Sequence, residues 1–489
     1  MTGLVVPQTL RGFRDILPDE MNLRNYVIEK IRAVYERYGY VPIDTPILEQ
    51  RSTLLGTGGE EADKQIFFLD TPEKQRAGLR FDLTVPFARI IAQYHPNDIK
   101  LPFRRYHIGP VFRADDPQPE QGRFRQFTQF DIDVAGTSSV AADAEIIAAM
   151  SDAMQAVGLT DDPNAHNCYF VRVSSRRLVD AFLAGIGITE PDRAKHVMRV
   201  IDKRDKLTEE QLIQELGKER IDEWGSRIPG VGLDSKRITQ ILGFIKTTAD
   251  TRAEVLAALD KLIAPSDLKT EAFQEVEQLL EHLNALSVSE SAARLDPSLT
   301  RGLEYYTGPV FECSLPNARV GSVMGGGRYN GLVSRFRDES IPATGASIGI
   351  DRIVTGLRNL GLADNVERAG AKVIVLVMPG VPEAEASRAA HDLRAAGIPT
   401  ELYVGEAMGA LTRQLAYANA RNMTVAVLIG RNEAKQGAVA VKDLRVGDAA
   451  RRDITNNEEY RRAGSVGQRV VPREALVDTV REILATPFE

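Results

Sequence analysis

A helical rhythm of apolar positions opens the chain between residues 19 and 38. Leu23, Val27, Ile28, Ile31, Val34 and Tyr35 fall on one face of a 3.6-residue helix. Asp19 stands where an N-cap is expected and Gly39 where the helix must stop. Residues 40–48, YVPIDTPIL, alternate β-branched and polar side chains, and Pro42 and Pro46 forbid a helix. Proline inside a strand predicts an edge or an interface. Further extended stretches are predicted at 65–69, 78–83, 104–112 and 126–134, with helices at 85–94 and 140–157. No regular crossover helices separate these strands, which favours a largely antiparallel α+β sheet over a doubly wound one.

From about residue 176 to 286 the pattern turns helical throughout and charged outside. Thr208-x-x-Gln211 reads as a capping box. Leu212, Leu216 and Trp224 follow, and Phe273, Val276, Leu279, Leu280 and Leu283 share one helical face. The block reads as an insertion between two parts of one sheet, because strand-and-glycine character returns at 294–353. A polar stretch at 362–372 predicts a linker. VIVLVM at 373–378 then predicts a buried parallel strand. Helices at 383–396, 410–420 and 473–484, with strands at 399–404, 424–429 and 438–442, predict a small α/β domain. The boundaries drawn from these shifts are 1–175, 176–290, 291–362 and 371–489.

Composition narrows the class. Of the 489 residues, 43% are hydrophobic and 26% charged, an ordinary globular balance. The net charge of −7 excludes a histone-like neutraliser of nucleic acid but leaves room for local basic patches. Two cysteines, Cys168 and Cys313, exclude a disulfide scaffold and a Cys-rich zinc site. No apolar run approaches the ~18 residues of a membrane span. Arg11 and Arg14 come too early for the core of a signal peptide. The expectation is a soluble multidomain protein of a reducing compartment.

Four segments carry chemistry. Residues 104–133, RRYHIGPVFRADDPQPEQGRFRQFTQFDID, read as two strands joined by a loop. Arg113 ends the first strand, and Arg123 and Arg125 open the second. Such a hairpin can hold an arginine fork over a planar or phosphate ligand, or it can be a surface hairpin with solvated charges. On the return strand Gln129, Asp131 and Asp133 share one face at period two. Gln129 and Asp133 there would make a polar floor able to read an amine or an imidazole. In GLRFDLTVPF, residues 78–87, Asp82 and Thr84 share a face, though an Asp-x-Thr pair before a helix is more often an N-cap. TRGLEYYTGPVFE, residues 300–312, sets Arg301 before Tyr305 and Tyr306. Two tyrosines on opposite strand faces cannot both be core, so one meets a ligand or a partner. Gly325–Gly327 then allow a close backbone approach, or mark a flexible turn. In TGASIGIDR, residues 344–352, Gly345 and Gly349 leave room for a flat ring, with Arg352 reaching back over them toward a phosphate. A P-loop is absent, and so is a GxGxxG turn, which argues against a dinucleotide fold. His95, His107, His166, His196, His282 and His391 show no metal-ligand spacing. His107 reads as a core or hydrogen-bonded histidine rather than a base.

Taken in this order, the segments resemble the class II aminoacyl-tRNA synthetases and, within them, the histidyl-tRNA synthetase family, over nearly the whole chain. YGYVPIDTPILE is similar to motif 1, which builds the dimer interface. VFRADD through QFTQFDID is similar to motif 2, and GASIGIDR to motif 3. RGLEYYTG and GGGRYNGL resemble the two segments peculiar to the histidine branch. The resemblance implies an α+β catalytic domain with a mostly antiparallel sheet in two parts, 1–175 and 291–362. A helical insertion at 176–290 and an α/β anticodon-binding domain at 371–489 complete it. It implies ATP and Mg²⁺, L-histidine and histidine tRNA, and a cytoplasmic homodimer with no membrane part.

Position by position, the resemblance puts Arg113 on the ATP α-phosphate and the histidine carboxylate, and Arg352 on the γ-phosphate. Asp82, Thr84 and Gln129 would bind the α-amino group. Asp133 and Tyr306 would read the imidazole, with Tyr305 lining the same pocket. Arg301 would stabilise charge developing between carboxylate and α-phosphate. Adenine would stack on Phe127 or Phe124. Asp115, shorter than the glutamate common in the class, would reach the adenine amino group. Glu304 replaces an aspartate common before the two tyrosines. No residue is implied as a Mg²⁺ ligand. The alternative is a non-catalytic relative, a histidine-sensing regulatory subunit. Such relatives tend to lose the phosphate arginines, the motif 3 pattern or the terminal domain.

Overall fold

Alternation of apolar and polar residues along the strands builds one large sheet and decides which face is core. The computed structural model describes residues 4–56, 63–221, 225, 227–300, 306–363, 370–376, 378–405, 411–449 and 467–487. The chain divides into two units, Met1–Glu367 and Arg368–Glu489. In the first, strands β1 (Val41–Pro42), β2 (Phe103–Phe112), β3 (Gln126–Ala135), β4 (Phe170–Ser175), β5 (Ala293–Leu295), β6 (Pro309–Ser314), β7 (Met324–Tyr329) and β8 (Ala343–Gly349) form an eight-stranded sheet. Its spatial order is β1-β2-β3-β8-β7-β6-β4-β5. All pairs from β2 across to β4 are antiparallel. Only the edge strands β1 and β5 run parallel to their neighbours. The sheet is the mostly antiparallel one the sequence predicts. β4 was not anticipated: it lies between helices and pairs with β6, far along the chain.

Phe130, Ile132, Val173, Phe311, Cys313 and Ile348 point from the sheet into the main core. Over them lie helices α1 (Pro18–Arg37), α3 (Ala141–Ala156) and α4 (Asp267–Ala285), while α2 (Thr84–Tyr94) and α5 (Ile350–Asn359) flank the site. Leu23, Val27, Ile31, Val34 and Tyr35 of α1 are buried as the periodicity predicts. Each contributes about 1.5–3 kcal/mol of apolar transfer. Asp19 is not the N-cap. α1 starts at Pro18 after Leu17, with no side-chain cap, because proline at the first helical position needs no N–H partner. Asp19 instead sits in the first turn, where its charge suits the helix dipole.

The middle block contributes helices Arg176–Gly185, Pro191–Asp202, Glu209–Leu216, Ser235–Ile245, Arg252–Leu262 and α4. The Thr208/Gln211 capping box forms, both arms in place. The block is not all-helical, however. Glu219–Ile221 and Arg227–Pro229 pair as a small antiparallel hairpin, too short to show a period in the sequence. Trp224 lies outside the described residues. A second small sheet joins Leu48–Gln50, Arg76–Leu79 and Phe68–Asp70 ahead of α2.

Buried charges tie these layers together. Asp351, at the start of α5, accepts from Arg14 Nη2 at 2.8 Å, Arg24 Nη1 at 3.0 Å and the Thr128 amide at 2.8 Å. α1, β3 and α5 therefore meet on one carboxylate. Arg328 of β7 grips Asp143 in the first turn of α3 through Nε at 3.0 Å and Nη2 at 2.5 Å. It also donates to the carbonyls of Thr137 and Ser139.

The second unit holds a five-stranded sheet ordered Thr400–Leu402, Val373–Leu376, Val425–Leu428, Ala438–Asp443 and Gln468–Pro472. The first three strands are parallel and the last two pairings antiparallel. Val373–Leu376 is fully buried between helices, as the unbroken β-branched run predicts. The last strand was not anticipated. No described helix is long and apolar enough to cross a membrane.

Asp143→Asn removes the charge that pairs a buried guanidinium, a change that costs about 3–5 kcal/mol when one partner of a buried pair is lost. Glu209→Gln, in the exposed pair with Lys246, should cost under about 1 kcal/mol. Urea unfolding of the two variants checks both figures.

Candidate active site

On the other face of the sheet, register turns sequence alternation into a site. Gln129, Asp131 and Asp133 of β3 lie opposite Gly109, His107 and Arg105 of β2. On their other side they lie opposite Gly349, Ser347 and Gly345 of β8. Beyond β8, Gly325 and Gly327 of β7 face Ser347 and Gly345, and Glu312 of β6 faces Gly325. The glycines keep this floor low. A Cβ on Gly345 would stand 2.0 Å from Asp133 Oδ1, so only glycine leaves that carboxyl its place.

A cleft of about 590 Å³ opens over the floor. Asp82, Thr84, Gln129, Asp133 and Tyr306 line it, and so do Arg113, Asp115, Phe124, Phe127 and Arg352. Arg301 and Tyr305 lie outside the described residues. Segments far apart in sequence therefore converge on one space.

Asp133 is the most tightly held of these. Its Oδ1 accepts from Tyr329 OH at 2.5 Å and its Oδ2 meets Arg105 Nη2 at 2.6 Å. Arg105 is itself wholly buried and also donates to the Leu83 carbonyl at 3.1 Å. Burial pushes the Asp133 carboxyl up to about 6, against the pull of Arg105 and Tyr329. Asp131 is pushed further, to about 7: burial dominates, Asp133 and Asp82 add like charge, and Arg105 opposes them. Its neighbour His107 is held neutral, lowered to about 3 by burial and by Arg105 and Arg80, while Nε2 bonds Asp44 at 2.9 Å. It is a hydrogen-bonded histidine, not a base.

Asp82 serves two ends. Its Oδ1 accepts from the amides of Thr84 at 3.1 Å and Val85 at 2.9 Å, so it caps α2, and it still stands on the cleft wall. Burial raises its carboxyl, opposed by those amides and Arg113.

At the other group of residues, Arg113 lies 4.3 Å from the Phe81 ring and 5.1 Å from the Phe127 ring, and donates through Nε to the Phe81 carbonyl. The aromatic faces fix the guanidinium plane. Phe124 is capped by Arg14 at 3.9 Å. Asp115 Oδ2 is occupied by Arg123, at 2.9 Å from Nε and 2.5 Å from Nη2, while its Oδ1 is buried without a partner. Arg352 follows the clamped Asp351 and donates through Nη1 to the Ser322 carbonyl at 2.5 Å. Gly122, at φ +70°, lets the loop between β2 and β3 press onto α5, where a Cβ would meet the Asp351 carbonyl at 2.8 Å.

Sequence reasoning did not single out Arg105, Tyr329, Ser347 or Glu312. A signal was present for Arg105: with His107 and Gly109 it forms a polar face on a strand whose other face, Tyr106 and Ile108, is apolar. Among the described residues no group of three His, Cys, Asp or Glu side chains is placed to hold a metal.

Comparison with known proteins gives a consistent picture. A family model for histidyl-tRNA synthetase matches residues 12–353, and one for an anticodon binding domain matches residues 372–482. The chain is 38% identical to a histidine–tRNA ligase of Bartonella henselae over 492 residues, 97% of each chain. It is 40% identical to one of Rhizobium meliloti over 496 residues, 98% of this chain and 96% of that one. The crystal structure of histidyl-tRNA synthetase from Nostoc sp. PCC 7120 superposes with a TM-score of 0.77 at 28% identity, covering 98% of this chain and all of the other. A Bacillus halodurans structure described as an ATP phosphoribosyltransferase regulatory subunit/histidyl-tRNA synthetase is alike in fold, at 24% identity and a TM-score of 0.67, covering 85% of this chain and 97% of its own.

The raised Asp131 carboxyl has a consequence for stability. Between the ordinary value of about 4 in the unfolded chain and about 7 in the folded one, the folded state keeps a proton that the unfolded state releases. Stability therefore falls as pH rises through that window. Asp131→Asn removes this penalty. Its stability advantage over the parent should grow from pH 5 to pH 8, by roughly 1–3 kcal/mol, in denaturant titrations at the two pH values.

Proposed function

Because the chain belongs to the histidyl-tRNA synthetase family, we propose that it is a histidine–tRNA ligase, which activates L-histidine with ATP and transfers it to the 3′ end of histidine tRNA. The observation that carries this reading is the convergence in one cleft of an acidic floor, two fixed arginines and two aromatic rings. An amino acid with a basic ring and an ammonium group suits the floor. A nucleoside triphosphate suits the arginines and rings.

In the first step a histidine carboxylate oxygen bonds to the α-phosphorus and the bond to pyrophosphate breaks. Both reactants are anions, so the protein's work is positioning and positive charge, with no nucleophile or base of its own. Arg113 bridges the α-phosphate and the carboxylate, and Arg352 takes the γ-phosphate. Arg301 adds a third cation. Asp82, Thr84 and Gln129 hold the α-ammonium group. Asp133 and Tyr306 read the imidazole, with Tyr305 beside them. Paired polar contacts to the ring reject an isostere that would leave the buried carboxyl unsatisfied. Adenine stacks on Phe127, whose Arg113-facing ring is more open than the Arg14-capped Phe124. Asp115, with one oxygen free, reaches the adenine amino group. In the second step the terminal hydroxyl of the tRNA attacks the acyl-adenylate and AMP leaves.

Mg²⁺ supplies further positive charge when it arrives with the triphosphate. Magnesium binds chiefly through phosphate oxygens and one or two carboxylates, and Glu312 is a carboxylate on the cleft wall. Residues 371–489 read the anticodon, and the helical insertion at 176–290, set between catalytic parts 1–175 and 291–362, clamps the acceptor stem. The protein works in the cytoplasm as a homodimer. The exposed edge strand β1 and the apolar Val41, Ile47 and Leu48 are the surface a second copy covers. The fixed phosphate arginines favour catalysis over histidine sensing alone.

Amino-acid-dependent ATP–pyrophosphate exchange, run with each of the twenty amino acids and Mg²⁺, is the test. Exchange with histidine alone is expected, and Arg113→Ala should lower it about 10²-fold or more. Exchange with another amino acid would overturn the specificity. Absent exchange with histidine still bound would return the protein to the sensing class. Sedimentation should give a dimer, and a monomer would refute the assembly.

A further inference from the structure

We propose that the helical insertion takes part in amino-acid activation itself: its 202–206 turn walls the cleft, Lys206 contacts an ATP phosphate, and Arg172 is the positioning residue that holds the turn in place. The inference rests on the reading of the cleft as the ATP site.

The insertion lies in the same unit as the large sheet, and two of its residues, Asp202 and Lys206, line the cleft. They stand at the two ends of one turn, where the helix Pro191–Asp202 gives way to the short helix Arg204–Lys206. The basic residues between them face the insertion. Lys203 Nζ donates to Glu215 Oε2 at 3.1 Å, and Arg204 Nη1 donates to the Ile245 carbonyl at 2.8 Å. Lys206 is exposed and has no ion pair among the described residues. The turn therefore keeps two cations for its own helices and offers the third to the cleft.

Three parts of the chain meet on Arg172. It belongs to β4, in the first catalytic part, and its side chain is 13% exposed. Its Nε donates to Asp296 Oδ2 at 2.7 Å and its Nη2 to Ser298 Oγ at 2.9 Å, both in the second catalytic part. Its Nη1 donates to Asp205 Oδ2 at 3.3 Å, in the turn itself. Each nitrogen serves a different residue, a fork that a single ammonium does not reproduce. Asp296 is oriented for this by Ser298, whose amide and hydroxyl both donate to its Oδ1. On the other side of Asp205, Arg204 Nε stands 3.6 Å from Oδ1, so the carboxylate sits between two guanidiniums. A second tie comes from buried Thr300, which donates to the Met198 carbonyl at 3.3 Å, one turn before Asp202.

The same arginine stands behind the cleft wall. Register sets Arg172 opposite Glu312 of β6, which lines the cleft, and Glu312 opposite Gly325 of β7. Just before β7, Ser322 lines the cleft too, and its carbonyl accepts from Arg352. The insertion turn, Glu312 and the anchor of Arg352 thus follow one another along one wall. A triphosphate held there by Arg113 and Arg352 still carries uncompensated charge, and a compact ammonium suits a phosphate oxygen.

The test is histidine-dependent pyrophosphate exchange by the full-length protein, without tRNA. Lys206→Met, an exposed change on a turn, should raise the ATP KM about tenfold, the equivalent of one charged hydrogen bond, and leave the histidine KM within about twofold. Asp205→Asn cuts only the tie between the turn and Arg172. It should raise the ATP KM about threefold, because the Asp205 side chain is 67% exposed and such a pair is weak. In the Lys206→Met background it should add nothing, and Asp205→Glu should keep the parent value. An Asp205→Asn effect that persists in that background, or that raises both KM values alike, would mean a merely structural role and overturn the positioning. An unchanged ATP KM in Lys206→Met would overturn the proposal, and a raised tRNA KM in aminoacylation would then assign the lysine to the tRNA alone. A parent protein without exchange would instead overturn the reading beneath it.

Discussion

A buried guanidinium and a buried carboxylate meeting at 2.6 Å set the geometry of everything above them. Arg105 and Asp133 pair across β2 and β3, and the same guanidinium reaches the Leu83 carbonyl just before α2. One arginine therefore places both the strand floor and the start of the helix that Asp82 caps. Burying two charges is expensive, and replacing such a pair by apolar residues often leaves stability unharmed. Its value lies in orientation. Tyr329 donates to one oxygen of Asp133 and the Arg105 charge sits against the other, which orients the carboxyl.

The floor is acidic, and its Asp82, Asp131 and Asp133 carboxyls are all raised by burial. A cationic, ring-bearing amino acid relieves that strain on binding, which ties recognition to a local loss of stability. The arginines with the aromatic faces form the opposite kind of surface, positive and planar. Clamping Asp351 between α1, β3 and α5 holds Arg352 next to the loop that carries Asp115 and Gly122. The two surfaces are fixed by different buried carboxylates of the same sheet-and-helix frame.

Much of this was legible in the chain. Gln129, Asp131 and Asp133 show their shared face by alternation alone, because β3 is a regular strand. The unbroken run at 373–376 shows a buried parallel strand for the same reason. What alternation cannot show is register. Arg105 and Tyr329 sit on strands that were expected, but their meeting with Asp133 depends on pairings across long stretches of sequence. From the residues alone Asp82 reads first as a helix cap, and the structure shows the cap while leaving the carboxyl on the cleft. The hairpin at 219–229 and the strand at 468–472 escaped notice because short, polar strands carry no readable period.

Calorimetric titration of Asp133→Asn with histidine and, separately, with ATP tests the central claim most directly. The substitution keeps the size of the side chain and removes the charge that Arg105 and Tyr329 hold in place. The account predicts that histidine affinity falls by about tenfold or more, the range for a lost charged hydrogen bond, while ATP affinity is unchanged. Histidine binding as tight as in the parent protein would contradict it.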